Sequence, residues 1–526
     1  MVDIRSARTL GEVARLQAEA KGDAPAFMFE GRATSFAEFD VHANQIANGL
    51  IAAGLKKGSR VAYLGKNSDH YFEAFIGAAK AGTVMAPVNW RLAPPEIVYI
   101  VNDCKAEALF VGAEFTDLAR QIAPELPSVR LIVAMEGGVP EWPPFETWRD
   151  EQSDAEPDVG AGWDDVVVQL YTSGTTGRPK GAMLKHSNIL GMRQTPPELT
   201  ADWNTWQDGD ISLVAMPVFH IGGSGWGITS LVNGAKGVVA REFDPHKVLD
   251  FIEKDRITKI FMVPAAMQIV VRHPRAREVD YSAIKYIMYG ASPIPLELLR
   301  ECMDMFGCGF VQMYGMTETT GTIVALPPED HDPAGNERMR SAGKPLPGVE
   351  VAILDEAGNS LPPRQVGEIA TRSIANMAGY WNMPEATAKT IDPQGWLRTG
   401  DAGYMDEDGY VYIHDRVKDM IITGGENVYP AEVENAIFGH PDVADVAVIG
   451  VPDEKWGEAV KACVVPKAGC NPKPEDIIAW ARARIAGYKT PKSVDFIQAL
   501  PRNPSGKILR RELREPYWAG KERRVN

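Results

Sequence analysis

The sequence is poor in cysteine and never places two where they could pair. Cys104, Cys302, Cys308, Cys463 and Cys470 form no Cys-x-x-Cys unit and no His/Cys cluster. An odd, dispersed set suits buried thiols in a reducing cytoplasm and argues against disulfides or a structural zinc site. No run of eighteen or more apolar residues occurs, so a membrane-spanning helix is not expected and any membrane contact would be peripheral. Met1 to Leu16 interleaves Asp3, Arg5, Arg8, Glu12 and Arg15 with apolar residues, the pattern of a surface helix and not of a signal peptide. Positive charge is in deficit: 55 Lys and Arg stand against 70 Asp and Glu, a net charge of −15. That balance disfavours a nucleic-acid partner. A Gly-x-x-x-x-Gly-Lys-Ser/Thr string is missing too, so a nucleoside triphosphate would have to be held in another way.

What is present begins with length. At 526 residues the chain exceeds what one core sustains, so two or more domains are expected. Strand-like runs alternate with helical ones over the first four hundred residues, as in Arg60–Leu64 before a helix carrying Phe72, Phe75 and Ile76. Lys259–Val263 precedes a second such helix, Ala265 to Val271. This alternation predicts an α/β fold of parallel-rich sheets covered by helices. Past Asp415-Arg416-Val417-Lys418 the pattern changes to a self-contained α+β unit. Helices open at Pro430 and Pro474, with Ile477, Ala481 and Ile485 on one stripe, and strands run over 445–449 and 459–465. The expected division is a large domain over 1–415, a hinge over 416–419 and a small mobile domain over 420–526.

The most informative stretch is Tyr171-Thr-Ser-Gly-Thr-Thr-Gly-Arg-Pro-Lys-Gly181, directly after the β-branched run Val166-Val167-Val168. Thr172, Ser173, Gly174, Thr175, Thr176 and Gly177 can wrap phosphate oxygens with backbone N–H and hydroxyl groups, and Lys180 adds a cation. This string resembles the phosphate-binding signature of the adenylate-forming superfamily, which comprises acyl-CoA synthetases, carrier-protein-loading adenylation domains and luciferases. The resemblance extends over nearly the whole chain, from Thr34–Phe39 and Pro87–Leu92 to the C-terminal segment Pro501–Lys507.

The resemblance implies ATP, Mg²⁺ and coenzyme A as reactants, and a set of site residues. Gln312-Met313-Tyr314-Gly315-Met316-Thr317-Glu318 is similar to the motif whose aromatic flanks adenine, whose Thr meets the α-phosphate and whose Glu holds Mg²⁺. Gly290, Ala291 and Ser292 join the same nucleotide set. Asp401 matches the ribose-binding carboxylate and Arg416 its basic companion. Lys418 matches the hinge, and Lys507 the lysine that stabilises the forming adenylate. For coenzyme A, Gly424, Gly425, Glu426, Trp456, Tyr488 and Lys492 match, although Thr490 stands where relatives carry arginine beside Tyr488.

The acyl pocket is expected from His220, Ile221, Gly222, Val263, Gly290 and Met313, with His220 as a gate beside the substrate carboxylate. Gly222, Gly223, Gly225 and Gly227 remove side-chain volume there, which favours a medium-to-long-chain fatty acid. Aryl or cinnamate-type acids and steroid side-chain acids stay open as substrates. A separate carrier protein stays open as acceptor, and a non-catalytic nucleotide-binding regulator or a light-emitting oxygenase as a different class. The oligomeric state, a homodimer included, is not legible.

Overall fold

The computed structural model describes residues 3–172, 179–196, 199–416, 419–423, 426–453, 455–503 and 506–519, with backbone only at Asp415, Arg416 and Asn427. The expected hinge residue Lys418, the loop residues Ser173 to Gly177, and Gly424 and Gly425 lie outside them.

Two large sheets carry the N-terminal part, one of nine strands with a parallel centre and antiparallel edges, and one of seven that is parallel except for two antiparallel strands at one edge. Strand Arg60–Leu64 is buried along its whole length. That explains why it reads as a continuous apolar run and not as an alternation. A single apolar cluster includes Phe27 and Val214 of one sheet, Val61 and Val168 of the other, and residues of helices Leu10–Lys21, Phe36–Ala52, Asp69–Lys80 and Ile221–Val232. These helices therefore fill the space between the sheets. Helix Phe36–Ala52 is started by a reciprocal cap, in which Glu38 N–H donates to Ser35 Oγ at 3.2 Å and Ser35 N–H to Glu38 Oε2 at 2.9 Å.

The N-terminal helix is two-faced: Leu10, Val13, Ala14 and Gln17 are buried, whereas Glu19 and Ala20 are exposed. One expectation needs correction. The alternation stops well before residue 400. Strands Glu350–Leu354, Gly367–Arg372, Leu397–Met405 and Val411–Arg416 form a separate four-stranded antiparallel sheet. Short segments carrying Gly358 and Gly409 join the first and last pairs, and a longer one holding helix Pro384–Thr390 joins the middle pair.

The small C-terminal domain is a five-stranded sheet built on the long hairpin Val443–Asp453 and Gly457–Pro466. Helices Pro430–Phe438 and Pro474–Arg482 pack on it through Val433, Ile437, Ile477 and Ala481. Ile485 lies past the end of its helix yet still reaches the same cluster. Cys104, Cys302 and Cys463 are buried free thiols, and Cys308 and Cys470 are half-buried ones. Among the described residues, no helix is long and apolar enough to cross a membrane.

His186 ties the first helix to this core, because Leu10 N–H donates to its Nδ1 at 3.1 Å. Burial holds the ring neutral and pulls its pKa down to about 4. The unfolded ring gains its proton near pH 6.5, so the unfolded chain binds the extra proton between those values. Stability contributed by the neutral ring is thus complete above pH 6.5 and is lost as pH falls towards 4, by up to about 3 kcal/mol. Melting temperature should drop over that window, and His186→Gln should flatten the drop; an equally steep profile in the variant contradicts the assignment.

Candidate active site

The carboxyl ends of the parallel strands meet the small domain across a cleft of about 2640 Å³. Thr172 ends strand Val166–Thr172, Gly290 ends Tyr286–Gly290, Met316 ends Gly309–Met316, and Val263 follows Lys259–Met262; all four elements border the cleft. Ligands bind at such strand ends in open α/β sheets.

Strand Val166–Thr172 continues into an antiparallel partner, Lys180–Lys185, with Thr172 in register with Lys180. The two strands that flank the phosphate-loop candidate therefore bring a hydroxyl and an ammonium to one edge of the cleft. Lys180 Nζ lies 4.9 Å from the centre of the Tyr380 ring. Tyr380 was not foreseen from sequence, yet it is central. Its hydroxyl donates to Glu318 Oε1 at 2.8 Å, and Thr172 Oγ1 donates to the same oxygen at 3.2 Å. Glu318 is buried, both of its described bonds come from neutral donors, and no basic side chain among the described residues is bonded to it. Gly379-Tyr380-Trp381 carries no spacing signal that sequence reasoning could have used.

Strand Gly309–Met316 turns back sharply at Thr317–Thr319 into Gly321–Leu326. Gly315 allows this return, since a Cβ there would lie 1.8 Å from Gly321 O. Gly290 is required in the same way, because its Cβ would meet Met313 O at 2.0 Å. Tyr314 donates to Asp401 Oδ2 at 2.7 Å, which joins the nine-stranded sheet to the antiparallel one at the cleft edge. Asp401 is in register with Arg416 on the adjacent strand. Gln312, Met313, Ala291, Ser292 and Thr317 border the same cleft. Tyr289 does not; it is fully buried, with its hydroxyl between Gln312 Oε1 and His331 Nε2.

The acyl-pocket candidates His220, Ile221, Gly222, Val263, Gly290 and Met313 all line the inner part of the cleft, joined by Phe261. The glycines beside His220 do not open space, contrary to expectation. Gly223 is pressed against the Pro217 backbone, Gly227 is filled by the Phe72 ring, and Gly222 and Gly225 face Phe261 and Ile221. They are small so that helix Ile221–Val232 can pack closely, and they give no argument for a long chain.

Lys507 comes from the far end of the chain to the same cleft. Gly506 rests against Val263 Cγ2 and Ala265 Cβ, at 3.2 and 3.5 Å from where a Cβ would stand. Arg502 holds the loop from behind, donating to Gly506 O at 2.7 Å and pairing with Asp445 at 2.7 Å. Gln268 Nε2 donates to Ala444 O at 3.1 Å, a hydrogen bond from the large domain to the small one. Glu426 and Tyr488 border the cleft as well. Trp456 and Lys492 do not: Trp456 sits exposed at the tip of the long hairpin, 4.5 Å from Lys455 Nζ, and Lys492 is exposed just before strand Ser493–Phe496.

The chain was compared with known proteins. Residues 14–381 match the model described as AMP-binding enzyme, and residues 432–507 match the AMP-binding enzyme C-terminal domain. The chain belongs to the AMP-binding enzyme family. It is 42% identical to the fatty acid–[acyl-carrier-protein] ligase ScoC of Streptomyces coeruleorubidus, over 99% of this chain and 98% of that one. It is 40% identical to a feruloyl-CoA synthase of Amycolatopsis, over 93% and 94%. The crystal structure of ATP-bound MatB from Rhodopseudomonas palustris superposes with a TM-score of 0.87 at 31% identity, over 98% and 100%. The protein is an AMP-forming ligase that works through an adenylate.

His220 faces Lys507 in this AMP-binding cleft. Burial is the main reason its pKa falls to about 4, with the charges of Lys507 and Arg91 adding to it. Its Nε2 is buried without a hydrogen-bond partner among the described residues. The ring is therefore a neutral group that can donate or accept one hydrogen bond to an acid seated beside it. In ¹⁵N-labelled protein the His220 ring should stay neutral from pH 8 down to pH 5, whereas a midpoint near 6.5 contradicts the burial argument.

Proposed function

We propose that the protein ligates a carboxylic acid to the thiol of coenzyme A in two steps at this one cleft, at the expense of ATP. The observation that carries the reading is the seat of the Lys507 loop on Val263 and Ala265, which places a C-terminal cation against the wall where the acid would lie. In the first step a carboxylate oxygen bonds to the α-phosphorus while the bond to the bridging oxygen breaks and pyrophosphate leaves. Both reactants are anions, so the step needs fixed positive charge and neutral donors. Lys180 and Lys507 supply the charge, Thr172 and Thr317 the hydroxyls, and His220 orients the acid. Asp401 accepts from the ribose, and Tyr314 flanks the base.

Glu318 suits Mg²⁺: it is a buried anionic oxygen ligand whose described bonds both go to Oε1, and no cluster of three or more metal-binding side chains occurs among the described residues. That fits an ion that arrives with the nucleotide, is held by one carboxylate, and neutralises phosphate charge. In the second step the thiol sulfur bonds to the acyl carbon, AMP leaves with the C–O electron pair, and the thiol proton is released. The small domain turns about residues 416–419 for this step, with Lys418 as pivot, bringing the 424–426 segment towards the cleft.

Ile221, Phe261, Val263 and Met313 favour an acid with an apolar body. With the glycine argument removed, medium-length fatty acids and aryl acids fit the cleft equally well. A carrier protein as acceptor is the second reading, favoured by the 42% identity to an acyl-carrier-protein ligase and by Trp456 and Lys492 standing away from the cleft. AMP release with free coenzyme A, compared with a phosphopantetheinylated carrier, separates the two.

An ammonium about 4 Å from a phosphoryl oxygen is worth roughly 4 kcal/mol at an effective dielectric near 20. Lys507→Ala should therefore slow pyrophosphate release by about 10²-fold or more. It should spare thioester formation from supplied acyl-AMP. An unimpaired pyrophosphate burst would refute the role.

A further inference from the structure

Ile221 has two sides. One borders the acid-binding end of the cleft; the other borders a small, partly open cavity of about 10 Å³, the room of about one water molecule. Most of the cavity wall is apolar, including Phe75, Leu170 and Ile228, but Arg193 also lines it.

Arg193 follows the short helix His186–Gly191, and its guanidinium is enclosed by protein although the residue as a whole is half-buried. It donates to Ile189 O and, at 2.7 Å, to Thr229 Oγ1, both neutral acceptors. No carboxylate among the described residues pairs with it. Burial alone pulls its pKa down, to about 10, so the cation persists at neutral pH. A guanidinium has five N–H donors in a rigid fork, more than these two acceptors use. The other polar groups nearby are committed: Ser224 Oγ bonds Val218 O and the Tyr71 hydroxyl, and Thr229 Oγ1 donates to Gly225 O at 2.7 Å. Buried cations are ordinarily paired, and this one instead borders the void behind the acyl pocket.

We infer that the acid activated here carries an oxygen at the end remote from its carboxylate, a second carboxylate or a hydroxyl, and that Arg193 reads it once Ile221 turns aside. The inference rests on the cleft being the acid-activating site and narrows its substrate class. Helix Ile221–Val232 sets the length. Ile221 and Thr229 stand eight residues apart along it, roughly 12 Å at 1.5 Å per residue. That matches a saturated chain of about ten carbons, or a shorter rigid aryl acid with a para oxygen.

Pyrophosphate release by the intact enzyme tests this with decanoate, its ω-hydroxy derivative and decanedioate, and with cinnamate against para-hydroxycinnamate. In the unmodified protein the oxygenated member of at least one series should exceed its plain partner in kcat/KM by about 10-fold or more, because a site built to bond an oxygen discriminates against the analogue that lacks it. Which series responds identifies the body of the acid. Arg193→Met should abolish or reverse the preference mainly through KM, and Arg193→Lys should keep part of it. Plain acids preferred in both series, or an Arg193→Met variant that loses activity on all acids alike, overturns the inference and leaves Arg193 as a clasp between two helices. If Arg193→Met does not fold, the ranking by the unmodified enzyme decides alone. Release with none of the acids defeats the reading of the cleft itself, which any turnover upholds.

Discussion

A single buried carboxylate organises the site. Glu318 sits at the sharp return between two strands of the nine-stranded sheet, and both hydroxyls that hold it, Thr172 and Tyr380, come from the seven-stranded sheet. The bond pair therefore fixes how the two sheets meet at their carboxyl ends, which is where the cleft opens. Each hydrogen bond to a charged acceptor is worth about 1.5–3 kcal/mol, and leaving the buried carboxylate without them would cost more. Neither donor is a cation, and both described bonds go to Oε1. The Tyr314–Asp401 bond does the same for the antiparallel sheet, so three sheets converge on one edge.

Much of this could be read from the sequence, and the reason is local. The hairpin that ends at Thr172 and Lys180 carries its small and hydroxyl residues as one contiguous string. Gly315 and Gly290 are forced by close backbone approach, and motifs that depend on such contacts tolerate little substitution. Parallel strands buried on both faces announce themselves as apolar runs, as at Arg60–Leu64.

What could not be read is what depends on distant contacts. Tyr380 reaches Glu318 across 62 positions, with no pattern to mark it. The glycines after His220 look like open volume in one dimension, whereas Phe72, Phe261 and the Pro217 backbone occupy that volume in three. The antiparallel strands over 350–416 alternate weakly and carry Gly and Pro turns, so they merged into the preceding α/β pattern. Nothing in the sequence marks Arg193, because its surroundings are assembled only by the fold.

The electrostatics of the cleft follow from the same enclosure. His220 is kept neutral by burial, with the charges of Lys507 and Arg91 adding to it. Two lysines border the cleft from different domains, Lys180 from the strand Lys180–Lys185 and Lys507 from the small domain, and the loop carrying Lys507 is braced by Arg502 and Asp445. The most direct measurement of this account is a crystal structure with a non-hydrolysable acyl-adenylate analogue. The account predicts its phosphate isostere between Thr172 and Lys507, its ribose on Asp401 and its acyl group against Val263 and Ile221. An analogue bound away from Glu318 and Lys507 would contradict it.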